Sequence, residues 1–130
     1  MSRRVINVAG LSHGTQPIPV AVAGGGLLVT GGIGGVDRQS GARPAELAQE
    51  VANVFANVRA VLDAAECTAA DVLRLTFFVS ERSARDAINR EWLAMFPDEN
   101  DRPARHTLVT ELVGQRVQAE LIAVDGRAAS

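Results

Sequence analysis

The spacing of apolar residues switches along the chain between two residues, the period of a strand, and about 3.6, the period of a helix. Residues 4–8 alternate as a first short strand. Residues 19–30 predict a hairpin that turns at the triple glycine, 24–26. The glycine-rich stretch 31–35 and the polar stretch 37–41 follow as a turn-rich loop. From Pro44 onward Leu47, Val51, Val54, Val58, Val61, Leu62 and Ala65 recur at helical spacing. They predict an amphipathic helix of about six turns, with proline where a helix start tolerates it.

Residues 71–80 alternate again, with Leu73, Leu75, Phe77 and Val79 on one face and Val72, Arg74, Thr76 and Phe78 on the other. Both faces carry apolar side chains, so both are expected to be covered. Ser83 caps a second helix that runs to Phe96, and Pro97 ends it. Residues 98–104 form a loop, and 105–112 and 116–124 form strands joined by a turn at 113–115. The small, polar tail from Asp125 is expected to fray.

The order β-ββ-α-β-α-ββ predicts an α+β domain of two layers, a mixed sheet with both helices on one face. The second face is expected to meet another subunit. At 130 residues the chain fits one domain over its whole length, with a core from about residue 4 to 124.

Composition narrows the chemistry. All 13 basic residues are arginine and there is no tyrosine, so lysine Schiff-base and P-loop mechanisms are excluded. A net charge of −2 argues against an electrostatic nucleic-acid partner. Cys67 is alone, and with His13 and His106 it makes no zinc cluster unless carboxylates complete it, so no metal is expected. No apolar run approaches a membrane span and no apolar signal core opens the chain, which predicts a cytoplasmic location and no membrane partner.

The glycines at 31–35 do not make a dinucleotide fingerprint, because no helix follows them to meet a phosphate. They read instead as a tight bend, or as a place where backbone approaches a neighbour closely. His13 sits in a Ser-His-Gly-Thr loop, where it is either solvated or a base. Cys67 reads as a packing residue. Arg105 and Glu120 are the informative pair, on strands that a neighbouring pairing would bring together. Glu120 shares its face with Ile122 and Val124, and a carboxylate in that setting needs a partner or a function. The pair is either a buried ion pair holding the sheet or a site in which arginine clamps a carboxylate.

Arg102-Pro103-Ala104-Arg105, followed by Val117-Gln118-Ala119-Glu120-Leu121-Ile122-Ala123-Val124, resembles the closing motifs of the Rid (YjgF) family of reactive-intermediate deaminases. Residues 27–33, Asp71-Val72 and Asn89-Arg90-Glu91-Trp92 extend the resemblance, which covers about residues 17–124. It implies a chorismate-mutase-like subunit in a homotrimer with clefts between subunits. It also implies hydrolysis of 2-imino or 2-enamino acids to 2-keto acids and ammonia without cofactor or metal. By position Arg105 resembles the arginine that binds the substrate carboxylate, and Glu120 the acid that positions water. Thr30, Gly31, Asn89 and Thr107 resemble substrate-binding positions.

Pro17 stands where the family often has a pocket tyrosine, which implies a more apolar or open rim and a larger or ring-cleaved substrate such as an aminomuconate. The alternatives are a non-catalytic trimer that binds small carboxylates and, against the acidic charge balance, a ribonuclease or translation inhibitor.

Overall fold

The computed structural model describes residues 3–126. Seven strands form one mixed sheet: β1 (Arg4–Ile6), β2 (Ala21–Gly24), β3 (Leu27–Thr30), β4 (Ile33–Gly34), β5 (Val72–Val79), β6 (Ala104–Val109) and β7 (Val117–Val124). Helices α1 (Leu47–Ala64) and α2 (Ala84–Met95) pack together over one face. No helix among the described residues is long and apolar enough to cross a membrane.

The strand order is β1-β2-β3-β7-β5-β6, with β4 pairing β7 beyond the end of β3. β5 and β6 are parallel and joined through α2, the usual crossover for parallel neighbours. This corrects the expected neighbour pairing of the two C-terminal strands. β5 lies between β6 and β7 because its two apolar faces, its eight-residue length and its central hydrogen-bonding edges serve both.

The core lies between the sheet and the helices. Leu28, Leu75, Phe77, Val79, Ala119 and Ala123 are fully buried from the sheet side. Val51, Val54, Phe55, Val61 and Ile88 meet them from the helices, and the Phe55 and Phe77 rings stack at 5.4 Å. The opposite face is open. Val5, Leu27, Val29, Ile122 and Val124 lie there between 37% and 55% exposed, a contiguous apolar surface on a single chain.

Several boundaries differ from the sequence expectation for local reasons. α1 starts three residues after Pro44, because the Pro44 and Ala45 carbonyls accept hydrogen bonds from the Arg116 guanidinium and stay outside the helix. In β5 a register shift between Val72 and Arg74 turns Val72 into the core and leaves Leu73 half exposed, reversing their expected faces. β1 ends at Ile6 and β6 at Val109, both shorter than the alternation suggested. Asp125 does not fray: it is buried and pairs with Arg4 at 3.2 Å. The rest of the expected tail from 127 onward lies outside the described residues.

Candidate functional site

β6 has a neighbour on one side only, and Arg105 sits on that edge strand. Its register partner is Leu75, a core residue, so the side chain of Arg105 leaves the sheet on the helix side. There the guanidinium lies 5.2 Å from the Trp92 ring centroid and 5.9 Å from that of Phe77. Its Nε donates to Thr107 Oγ1 at 3.2 Å. None of the ion pairs among the described residues involves Arg105. Burial lowers its pKa below the ordinary arginine value, and the positive charge of Arg85 lowers it further. Its two terminal nitrogens keep the fork geometry that matches a carboxylate. Asn89 is exposed on α2, three residues before Trp92.

Glu120 lies elsewhere. Its register partner is Thr76, and both belong to the open face. The expected convergence of Arg105 and Glu120 through neighbouring strands is therefore corrected twice: β5 separates their strands, and the two side chains leave the sheet on opposite faces. His106 faces away from Arg105, as alternation predicts, and is exposed beside Thr76.

Thr30 and Gly31 stand next to Glu120. Val29 pairs with Ile122 and Ile33 with Ala119, so three residues, 30–32, face only two, Glu120 and Leu121. The extra residue makes a bulge. Thr30 Oγ1 accepts the Leu121 N–H at 3.0 Å where the ladder is interrupted. A cavity of about 220 Å³ opens there between Val29, Thr30, Arg74, Thr76 and Glu120. The close-approach reading of the glycines holds at Gly32, where a Cβ would collide with the Gln118 amide, and at Gly35, where it would collide with the Glu50 backbone.

A third polar group escaped the sequence reading. Glu50 is completely buried, and its carboxylate accepts the Arg116 backbone N–H at 2.9 Å and the guanidinium at 2.7 Å. Asn57, one heptad later, donates to the Gly34 and Val36 carbonyls, and Asn53 donates to that of Gly35. These side chains of α1 hold β4 and the start of β7, and so set the frame of the bulge. The legible signal was a polar residue recurring at a seven-residue interval within the apolar stripe. Cys67 is buried, and its thiol pKa is raised by that burial, then by Asp71 and Asp125, as befits a packing residue.

The family described as Endoribonuclease L-PSP matches residues 15–125. The chain belongs to this family, which is also the Rid or YjgF family. A RutC family protein of Haemophilus influenzae is 28% identical, over 95% of this chain and 97% of that one. The 2-iminobutanoate/2-iminopropanoate deaminase of Escherichia coli K12 is 27% identical, over 77% of this chain and 79% of its own. Among solved structures, the yjgF gene product of E. coli is similar with a TM-score of 0.83 at 26% identity, covering 93% of this chain and 98% of that chain. E. coli TdcF with bound serine has the same TM-score at 23% identity and the same coverage, a likeness of fold. The Rid architecture thus agrees with the α+β fold described above.

Proposed function

We propose that this Rid protein hydrolyses 2-imino and 2-enamino acids to 2-keto acids and ammonia, at sites built between the subunits of a homotrimer. The observation that carries the reading is Arg105, stacked on Trp92, tied through Nε to Thr107 and in no ion pair with a carboxylate among the described residues. Aromatic packing and the Thr107 bond hold the fork in one orientation, so a ligand carboxylate can be gripped at two nitrogens with little ordering cost. The activity for which the E. coli relative is named and the serine bound by TdcF concern small amino-acid-like carboxylates, which suit such a fork.

One chain presents Arg105 and Glu120 on opposite faces of its sheet. A site that uses both draws Arg105, Thr107 and Asn89 from the β6 edge of one subunit and Thr30, Gly31 and Glu120 from the open face of another. The exposed apolar residues of that face support a partner of the same kind. Arg105 then fixes the imine carbon by its neighbouring carboxylate, and Glu120 orients a water toward it. Water adds to the carbon, the carbinolamine collapses, and ammonia leaves. An imine carbon is already electrophilic, so placement supplies most of what the reaction needs.

Complementation tests the reading. Imino acids are made in situ by an amino-acid oxidase, semicarbazide competes for the imine, and keto acid release is followed. Arg105→Ala and Glu120→Gln are each expected to lose about a hundredfold or more in kcat/KM. Refolded together in equal amounts, they are expected to recover about a quarter of wild-type activity, since random trimers regain about one site in four. Mixtures as inactive as the single variants, beside an active wild type, refute the shared site. A wild type that binds keto acids through Arg105 without accelerating imine loss leaves the carboxylate-binding alternative.

A further inference from the structure

A second cavity, of about 360 Å³, adjoins the bulge at Gly32. Its polar lining is Ser12, His13, Arg43, Gln115 and Gln118, and its floor includes Gly32. The volume suits a small ligand. His13 is packed onto the bulge itself: a Cβ at Gly31 would stand 3.1 Å from His13 Nε2. Gln118 covers Gly32 in the same way from β7. The two glycines therefore let an imidazole and an amide flank one stretch of backbone, next to Glu120.

Among the side chains lining this cavity, His13 is the one that can both accept and donate a proton at a ring nitrogen. The charged groups around it come from three elements. Arg43 lines the cavity from the loop before α1, with the Glu50 carboxylate 4.0 Å behind it. Arg38 donates to the Ala9 carbonyl beside Gly10, which also lines the cavity. Glu120 follows Gln118 by two residues on β7.

We propose that His13 is the proton carrier of the deamination, a catalytic residue beside the Gly31-Gly32 bulge. The proposal rests on the deaminase reading above and adds a role that Arg105 and Glu120 leave unfilled. A carboxylate that only orients water leaves the proton transfers to another group. As water adds to the protonated imine carbon, a C–O bond forms, the C=N π pair goes to nitrogen, and Nε2 takes the proton that the water loses. The imidazolium gives that proton to the carbinolamine nitrogen. The C–N bond then breaks with its electron pair on nitrogen, ammonia leaves, the hydroxyl proton passes to the imidazole as the carbonyl forms, and the imidazolium gives it to ammonia or bulk water, which restores the base.

The test compares wild type, His13→Ala and His13→Gln in the imine assay with 2-iminopropanoate from pH 5 to 9, with the oxidase in excess. Circular dichroism and solution mass verify that each variant keeps its fold and assembly. Both variants are expected to lose about a hundredfold in kcat with little change in KM. They are also expected to lose the pH-dependent limb that wild type shows across this range. Added imidazole is expected to restore part of the activity of His13→Ala. Variants with wild-type kcat, or slow variants that keep the limb and ignore imidazole, overturn the proposal and leave the deaminase reading intact. A wild type without imine turnover overturns both.

Discussion

Arg116 and Arg105 are the same residue type in two opposite states. Arg116 is saturated: its backbone N–H and Nε reach the Glu50 carboxylate, and its terminal nitrogens reach the Pro44 and Ala45 carbonyls. It joins the start of β7 to the start of α1, and each of its guanidinium nitrogens already has a protein partner. Arg105 spends one nitrogen on Thr107 and rests its flat face on Trp92 and Phe77, at a sheet edge. The difference separates a guanidinium that holds the fold from one held by the fold. Neither charge nor burial alone draws that line, since both side chains are partly buried; the count of satisfied donors does.

The contrast can be broken at either end. Removing the buried acid is expected to have the largest effect on stability. Glu50→Ala leaves Arg116 without its partner inside the protein and should cost about 3–5 kcal/mol in urea unfolding. A loss below about 1 kcal/mol would mean that the backbone carbonyls alone satisfy Arg116. Arg105→Ala removes cation–π contacts worth about 0.5–1 kcal/mol at a partly exposed site, so the unfolding midpoint should hardly move while turnover collapses. A stability loss as large as that of Glu50→Ala would return Arg105 to a structural role.

The smallest effect concerns Cys67. Its folded-state pKa is raised, chiefly by burial, so the folded protein holds the thiol proton more tightly than the unfolded chain. That contribution is present below the ordinary thiol pKa and is lost as pH rises through the raised value. With neither tyrosine nor lysine in the sequence, few other side chains change charge in the same alkaline range. Wild-type stability should therefore decline from pH 8 to 10.5, and Cys67→Ala should flatten that decline. Parallel curves for the two proteins would show that the thiol contributes nothing to it.

The elements were legible wherever one period persisted. The hairpin at 21–30, the helix ending at Met95 and the alternation of Val117–Val124 all lie where apolar spacing puts them, because burial of one face is a local property of a strand or helix. The failures sit where a distant partner intervened. Arg116 held the Pro44 and Ala45 carbonyls out of α1, the register shift after Val72 moved Leu73 outward, and Arg4 drew Asp125 into the structure.

The chemistry divides along the same line. Without lysine or tyrosine, the sequence alone left arginine, histidine, the carboxylates, serine, threonine and Cys67 as candidate groups, and the resemblance of its closing motifs singled out Arg105 and Glu120. Alternation also determined that Glu120 shares a face with Ile122 and that His106 opposes Arg105. Only the tertiary structure decided that β5 separates β6 from β7, that the two side chains leave the sheet on opposite sides, and that His13 rests on the bulge at Gly31. A period of two assigns faces within a strand. It carries no information about which strand lies beside it, and that order follows from packing the whole chain around one core.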